Sequence, residues 1–350
     1  MKYLCALGSA LPEFRADKAR VLEAARVWLA DSPGQFALFE RYLHSSQTKA
    51  RPFIIPPEEI VALGGPEARA AVYEEQAIEL AAPAAAMALQ RAGIAAEEVD
   101  ALIFSSCSCP VIPALDTQLI DRLKLKRDVI RIPSYQFGCA GGVIGLGLAR
   151  NFDRQVQNIL VVSCEINSLV FQFSNRSASN LVGAAIFADG AAAAAVSCNK
   201  PRGRSLALID HQSFLVPDSR HLMGYDIKDS GPHLRLDKAL PAPLAELAPD
   251  LVGNFLSRHG LTVSDVPWWL FHPGGSKILT VLNQIFALKN SQSSWSDQVL
   301  HEIGNVSSAT ILMVAEKFMQ SAVPQDDDIV IFLGVGPGLT IELLLARVQR

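Results

Sequence analysis

The sequence has few charged residues, few cysteines and no long apolar run, and each shortage excludes a class of protein. Only 19% of its 350 residues are charged and the net charge is −4, so we expect no nucleic-acid partner. The six cysteines are too dispersed for a disulfide framework, and Cys107-Ser108-Cys109 lacks the paired spacing of a zinc site. These features predict a protein of the reducing cytoplasm.

No apolar run approaches the ~20 residues that span a bilayer, which excludes a membrane-spanning helix. We expect Met1–Gly8 to form a first β-strand rather than a signal peptide. Hydrophobic residues, in contrast, make up 50% of the chain, which is sufficient for a large core without metals or disulfides. A chain of this length suits one large domain or two of moderate size.

Apolar strand-like runs alternate with segments of helical periodicity. The clearest strands are predicted at 99–106, 158–164, 267–271 and 328–334, and the clearest helices at 16–48, 67–93, 241–260 and 276–288. This alternation predicts α/β layers with mostly parallel, buried strands. The second half of the chain repeats the first in its order of strand, reactive loop and helix. Arg41, Lys49 and Arg51 form a small basic cluster, which we interpret as an ordinary solvated helix end.

Three predicted strand-to-helix junctions carry Cys139, His272 and Asn305. Such junctions line the ligand crevice of layered α/β sheets. A cysteine and a histidine can form a thiolate–imidazolium pair, and a helix N-terminus beside the sulfur favours the thiolate. His and Asn can also direct N–H donors at an oxygen that gains negative charge. Together these groups suit acyl transfer followed by carbon–carbon bond formation.

Each of the three residues also has an ordinary structural interpretation. Cys139 is framed by glycine and alanine, and a free cysteine is often a small core residue. His272 precedes Pro-Gly-Gly and could simply be part of a turn. Asn305 follows a glycine and could cap a helix. Three such loops in one chain make coincidence a poor explanation.

The motifs, taken together, resemble those of the chalcone-synthase-like, or type III, polyketide synthases over nearly the whole chain. The matching segments are Gly138-Cys139, the run Leu181–Ala193, His272–Gly275, Gly304–Ser308 and Gly334–Thr340. The run Tyr225–Lys238 and the compact length are closer to small bacterial members, such as phloroglucinol or tetrahydroxynaphthalene synthases, than to plant ones.

The resemblance implies a thiolase-like fold. Two similar βαβαβαββ halves, 1–199 and 200–350, would stack as a five-layered αβαβα sandwich in a homodimer. Cys139 would accept the starter from acyl-CoA, and His272 would keep its thiol ionised. His272 and Asn305 would then hold malonyl-CoA during its decarboxylation. The enolate would extend the chain, and cyclisation to a pyrone or phenolic ring would end the cycle. CoA thioesters are substrates in this scheme, and no cofactor is permanently bound.

The resemblance also assigns residues around the reaction cavity. Phe187 matches an aromatic gate, Ile112 a residue that crosses the dimer interface into the partner's cavity, and Arg41 a basic residue at the CoA entrance. Two further entrance positions that are basic in plant enzymes are not basic here. Cys107 corresponds to a second cavity cysteine of some bacterial members. The remaining cavity positions are Ser108, Asn167, Val170, Gly183, Leu234, Ser307, Gly336, Pro337 and Gly338.

Some positions depart from the family pattern and keep other interpretations open. Val335 stands where Phe is usual, and Pro232, His233 and Leu234 lie where many relatives have a second aromatic gate. A β-ketoacyl-carrier-protein synthase III would use the same fold and the same Cys/His/Asn set, and Gly-Cys-Ala-Gly-Gly favours it. A non-catalytic thiolase-fold binding partner is a further alternative, against which the intact Cys/His/Asn set argues.

Overall fold

The computed structural model describes residues 1–350, which form thirteen β-strands and eleven α-helices. The strands are β1 Lys2–Ala10, β2 Arg15–Asp17, β3 Ala50–Pro52, β4 Ala101–Ser105, β5 Ile130–Ser134, β6 Asn158–Ile166, β7 Asp189–Ser197, β8 Ser205–Leu215, β9 Met223–Lys228, β10 Gly231–Leu236, β11 Trp268–Phe271, β12 Ile329–Gly336 and β13 Thr340–Gln349. The helices are α1 Lys18–Trp28, α2 Pro33–Ser45, α3 Pro57–Ala62, α4 Pro66–Ala92, α5 Asp116–Leu123, α6 Gly141–Asn151, α7 Ala178–Ile186, α8 Pro241–Ser257, α9 Ser276–Ile285, α10 Asn290–Glu302 and α11 Ser308–Gln320. No helix is both long and apolar enough to cross a membrane.

Nine strands pair in the order β11-β12-β13-β8-β1-β7-β6-β4-β5. Three pairings are parallel, namely β4 with β5, β4 with β6 and β11 with β12, and the other five are antiparallel. The prediction of mostly parallel strands was therefore wrong. The reason is visible at β12 and β13, which are separated by only Pro337–Leu339, a connection that permits antiparallel neighbours alone.

The strand pairing reveals an internal duplication. In the first half, β4 pairs parallel to β6, which pairs antiparallel to β7, which pairs antiparallel to β1. In the second half, β11, β12, β13 and β8 repeat this series of one parallel and two antiparallel pairings. The repeated order that the sequence pattern predicted is thus present in the fold.

Three hydrophobic clusters define five layers. One lies around the central helices α6 and α11 and takes residues from strands of both halves, such as Val161 of β6 and Phe332 of β12. A second joins α4 to the opposite face of the first-half strands, and a third joins α8 to that of the second-half strands. Because side chains alternate between the two faces of a strand, Val161 packs in the central cluster, and its neighbour Leu160 packs in the second cluster, against α4.

Helices α1, α2, α3 and α7 pack around Trp28 and Phe39 in a separate fourth cluster. The single helix predicted over 16–48 is two helices, because α1 ends at Trp28 and α2 begins at Pro33. Proline lacks a backbone N–H and is favoured at the first position of a helix, so it marks a new start. The hairpin of β9 and β10 lies outside the nine-stranded sheet.

Candidate active site

Cys139 lies in the short 3₁₀ turn Gly138–Ala140, which leads directly into α6. Gly138 has φ +52°, and a Cβ at this position would lie 2.7 Å from Cδ of Pro337. A Cβ at Gly336 would lie 2.5 Å from Cβ of Ala140. The glycines therefore allow the 336–338 turn to pack directly against the backbone that carries the sulfur.

One open cleft brings together the three reactive residues that the sequence singled out. Cys139, His272 and Asn305 all line this cleft, which has a volume of about 810 Å³. His272 follows β11 and Asn305 precedes α11, so both come from the second half of the chain and face a cysteine of the first half. Val335, at the end of β12, also lines the cleft.

The Asn305 side chain has a defined orientation. Its Oδ1 accepts a hydrogen bond from the backbone N–H of Ser307 at 2.8 Å, and its Nδ2 donates to the carbonyl of Gly274 at 3.1 Å. Ser307 occupies the N-cap position of α11, so Asn305 is not the N-cap residue of that helix. An amide group has two N–H donors, and Nδ2 retains one of them for an oxygen in the cleft.

Burial disfavours the charged forms of both Cys139 and His272. Burial raises the pKa of the Cys139 thiol to about 11 and lowers the pKa of the His272 imidazole to about 4. No polar group hydrogen-bonds either ring nitrogen of His272. Burial opposes both charges of the thiolate–imidazolium pair predicted from the sequence, and that pair stays a prediction. Ionisation of this thiol at neutral pH requires its proton to pass to a nearby base.

Ser307 contacts both sulfurs of the site. Its Oγ lies 3.4 Å from Sγ of Cys139 and 3.5 Å from Sγ of Cys107. The backbone of Ser307 has φ +48° and ψ −126°, a conformation that residues other than glycine rarely adopt. Residues held in such strained conformations cluster at active sites. The strain here places the hydroxyl between the two cysteines.

Glu165 is a fully buried carboxylate behind the cysteines, and the sequence analysis missed it. It accepts hydrogen bonds from the backbone N–H of Cys107 at 2.9 Å, from Oγ of Ser108 at 2.6 Å and from Ser308. Burial raises the pKa of the Glu165 carboxyl, and these hydrogen bonds oppose the rise. An acidic residue directly after the apolar run 158–164 was the signal that could have revealed it.

Phe187 separates the cleft from a second, apolar cavity. Its ring lines both spaces. The second cavity has a volume of about 80 Å³, and Gly183, Asn167, Val170, Leu234 and Tyr225 are among its lining residues. A Cβ at Gly183 would lie 2.6 Å from Leu234, so this glycine makes room for the leucine. The sequence did not identify Tyr225 individually as part of this wall.

The remaining residues predicted from the sequence line neither the cleft nor the apolar cavity. Cys107 and Ser108 are buried beside Glu165. Gly336 and Pro337 pack against the Cys139 turn, and Gly338 packs against Leu215. Ile112 is 96% exposed and lines neither the cleft nor the apolar cavity. Arg41 is exposed and is not part of the cleft wall, although Tyr42 is.

The mouth of the cleft carries basic residues that the sequence analysis did not select. Lys238 and Lys277 line the cleft, are exposed and form no ion pair, and His221 lies on the same wall. Arg235 also lines the cleft, but it is paired with Asp226. Lys277 follows the His272–Ser276 loop by one residue, so its proximity to the reactive motif was the available signal.

Without the His272 imidazole, burial is expected to be the main influence on the pKa of the Cys139 thiol. The rate of alkylation of Cys139 by iodoacetamide in His272→Ala should then rise with pH towards a pKa of about 11, because the thiolate is the nucleophile. At pH 7 the variant should react at least about tenfold more slowly than the parent protein, which keeps a proton acceptor. Rates are measured by peptide mass spectrometry. Superimposable pH profiles would show that His272 does not assist ionisation.

Comparison with known protein families places both halves of the chain in one family. Residues 37–200 match the model of the N-terminal domain of chalcone and stilbene synthases, and residues 208–349 match that of the C-terminal domain. These two segments together span most of the sequence.

Curated relatives match along almost the entire chain. A 1,3,6,8-tetrahydroxynaphthalene synthase of Streptomyces peucetius subsp. caesius is 31% identical, with 98% of this chain and 92% of the relative covered. A phloroglucinol synthase of Pseudomonas fluorescens Pf-5 is 28% identical, with 99% of both chains covered.

The fold agrees with that of a solved relative. The crystal structure of 1,3,6,8-tetrahydroxynaphthalene synthase from Streptomyces coelicolor A3(2), a bacterial type III polyketide synthase, superposes with a TM-score of 0.94 at 30% identity and covers 99% of both chains. The thiolase-like fold and the family expected from the sequence motifs are therefore confirmed. The chain belongs to the chalcone and stilbene synthase family and is a type III polyketide synthase, an acyltransferase that catalyses decarboxylative condensation.

Proposed function

We propose that Cys139 carries the growing acyl chain. The observation that supports this most strongly is the convergence of Cys139, His272 and Asn305 in one cleft. In the loading step Sγ of Cys139 attacks the thioester carbonyl of an acyl-CoA. The thiol proton passes to Nε2 or Nδ1 of His272, both of which are unoccupied, and CoA leaves as its thiol after taking up that proton.

Extension uses malonyl-CoA as the source of a carbon nucleophile. His272 and the free N–H of Asn305 Nδ2 donate hydrogen bonds to the thioester oxygen of malonyl-CoA. Loss of CO2 leaves the bonding electrons in an enolate, whose negative oxygen faces these donors. The enolate carbon attacks the acyl group on Cys139, a new carbon–carbon bond forms, and the Cys139 thiolate is released. The lengthened chain then returns to Cys139.

The two spaces on either side of Phe187 fit an enzyme that stores an acyl chain during extension. The cleft admits the thioester, and the apolar cavity beyond Phe187 is lined mainly by hydrophobic side chains. We propose that the starter tail or the growing chain passes Phe187 into this cavity. Carbon attack on the Cys139 thioester then gives a phenolic ring, and enol-oxygen attack gives a pyrone. Each closure returns the thiol.

The CoA moiety is proposed to lie at the mouth of the cleft. Its phosphates are polyanionic, and Lys238 and Lys277 are free cations on one wall. Ser45 also lines the cleft, where its carbonyl accepts a hydrogen bond from Oγ of Ser276, and it offers no charge. Arg41 remains a proposed contact because it adjoins Tyr42 of the cleft. The phosphates are thus held chiefly by the second half of the chain, 200–350, while the thiol comes from the first half, 1–199.

Charge reversal at Lys238 and Lys277 is expected to weaken CoA binding without changing the chemistry. Each Lys→Glu substitution should raise KM for acyl-CoA and malonyl-CoA by about threefold, and the double variant by about tenfold, with kcat unchanged. N-acetylcysteamine thioesters lack the phosphates and are the matched control substrates. An equal rise in KM for these thioesters would assign the two lysines to another part of the site.

A homodimer is proposed from the exposed apolar residues near the edge of the sheet. Ile112 is 96% exposed, and Ile130, on the edge strand β5, is 42% exposed. An unpaired strand edge and an exposed isoleucine are features that proteins usually cover with another chain. A second copy of the chain would cover both at once.

The proposed reaction is tested by supplying acyl-CoA and malonyl-CoA without any carrier protein. Mass spectrometry across a panel of starters should detect cyclic products longer than the starter by malonyl-derived units. A Cys139→Ala variant is the negative control. Absence of cyclic product, with condensation restored by an acyl carrier protein, would favour a β-ketoacyl-carrier-protein synthase III instead. Absence of any acyl-Cys139 would favour a non-catalytic binding protein.

A further inference from the structure

Arg51 is a buried cation that touches no catalytic side chain. It lies on β3 and is only 3% exposed, so its interpretation as part of a solvated helix end was wrong. Its Nη1 donates hydrogen bonds to the carbonyl of Ala184 at 2.8 Å and to the carbonyl of Phe187 at 2.6 Å. The guanidinium thereby fixes the backbone at the end of α7, where the Phe187 ring originates.

The same backbone segment is joined directly to Asn305. The N–H of Asn305 donates to the carbonyl of Ile186 at 3.1 Å, and the N–H of Ala188 donates to the carbonyl of Asn305 at 2.9 Å. These two bonds form an isolated parallel β-bridge between Phe187 and Asn305. A displacement of residues 186–188 therefore displaces the residue that supplies the amide donor.

Arg51 also packs against the other side of Asn305. A Cβ at Gly304 would lie 3.2 Å from Cγ of Arg51 and 3.3 Å from the carbonyl oxygen of Ile186. Gly304 has φ +92°, which side chains rarely adopt. The Arg51 side chain thus contacts the backbone on both strands of the bridge, at Phe187 and at Gly304.

The guanidinium remains charged despite its burial. Burial lowers the pKa of Arg51 to about 10, and the carboxylate of Asp189 opposes that effect. Asp189 accepts hydrogen bonds from the N–H of Ile54 and from the N–H and Oγ of Ser168, and it forms no ion pair with Arg51. Loss of Arg51 would leave two carbonyls without their donor and one buried carboxylate without a nearby cation.

Arg51 lines the apolar cavity but not the cleft that contains Cys139, His272 and Asn305. We propose that Arg51 is a positioning residue that holds the backbone at Phe187 and Asn305 in place, and so sets the efficiency of malonyl decarboxylation without contacting the malonyl thioester. The inference rests on the proposed role of Asn305. An amide donor acts on the enolate only when it is held within about 0.5 Å of its productive position. Loading onto Cys139 involves a different turn of the chain, 138–140, which Arg51 does not contact. The two steps should therefore respond differently to substitution of Arg51.

The test compares Arg51→Met with Arg51→Lys. Arg51→Met removes the donors, and decarboxylation, measured as acetyl-CoA formed from malonyl-CoA in a Cys139→Ala background, should fall by about tenfold or more. Loading, measured as acyl-Cys139 by intact-protein mass spectrometry with the cysteine present, should change by less than about threefold. A lysine ammonium can donate to both carbonyls, so Arg51→Lys should recover most of the decarboxylation.

Arg69 provides a matched control. It is also buried, and its Nη1 donates to the carbonyls of Leu169 and Phe171. Phe171 lines the apolar cavity, and neither residue is hydrogen-bonded to Asn305. Arg69→Met should destabilise the fold to a similar degree, as measured by Tm, while leaving the ratio of decarboxylation to loading within about twofold of the parent. Arg51→Gln keeps a single amide group as donor and is the second variant if Arg51→Met does not fold; it should show the same selective loss to a smaller degree.

The outcomes separate this inference from the proposed function. A parent protein without malonyl-CoA decarboxylation would overturn the proposed function itself. An active parent in which Arg51→Met and Arg69→Met lower both steps equally would overturn the role of Arg51 alone. Selective loss of decarboxylation in Arg51→Met, or in Arg51→Gln, with recovery in Arg51→Lys would support it.

Discussion

Replacement of Cys139 by alanine is expected to abolish polyketide formation, lowering turnover by at least about 10⁴-fold, while malonyl-CoA is still decarboxylated. Without Sγ no acyl-enzyme forms, so the enolate has no acyl group to attack. Decarboxylation itself develops charge on the thioester oxygen, which faces His272 and Asn305 rather than the sulfur. Product formation and acetyl-CoA release are both measured by mass spectrometry.

Cys198 supplies the control for this experiment. It is a free, half-buried cysteine whose sulfur approaches only the backbone carbonyls of Arg154 and Val156. Cys198→Ala should retain the activity of the parent protein. If Cys139→Ala still made cyclic product while Cys198→Ala did not, the nucleophile would have been assigned to the wrong residue. Residual product in Cys139→Ala that disappeared on substitution of Cys107 would assign a second acyl carrier.

Replacement of Asn305 by alanine is expected to lower the rate of malonyl decarboxylation by about 10²–10³-fold, the usual loss when one oxyanion donor is removed. Starter loading should change by less than about threefold, since it depends on Cys139 and His272. The physical reason is that the enolate oxygen gains a full negative charge, which the amide N–H stabilises. Acetyl-CoA release and acyl-Cys139 formation are measured separately to assign the loss to one step.

Asn305→Asp isolates the donor from the structural role of the side chain. Oδ1 of Asn305 also accepts from the N–H of Ser307, and an aspartate keeps that acceptor while removing the Nδ2 donor. It should therefore preserve the strained turn at Ser307 yet lose decarboxylation as severely as alanine does. Loss mainly of loading in both variants would contradict the role assigned to Asn305.

The sequence predicted the parts of this protein that depend on local patterns. Gly138 before Cys139, and the glycines beside His272 and Asn305, marked sharp junctions between strands and helices. Alternating apolar segments predicted layered α/β structure and its duplication. The prediction that most strands pair in parallel was wrong. A continuous apolar run such as β7 can form a buried strand in either a parallel or an antiparallel sheet, so its sequence does not distinguish the two. The break between α1 and α2 was also missed, although Pro33 marks it.

The sequence by itself singled out the residues to which we assign the chemistry, since Cys139, His272 and Asn305 occur in motifs that together resemble those of one family. Only the tertiary structure decided how they are held. The hydroxyl of Ser307 between two sulfurs, the buried carboxylate of Glu165 and the contact of Arg51 with Phe187 join residues more than fifty positions apart in the chain. The contacts of Ser307 depend on the packing of the two halves against each other, and those of Glu165 with Cys107 and of Arg51 with Phe187 on the packing of elements within the first half. No periodicity along the chain records either kind of packing.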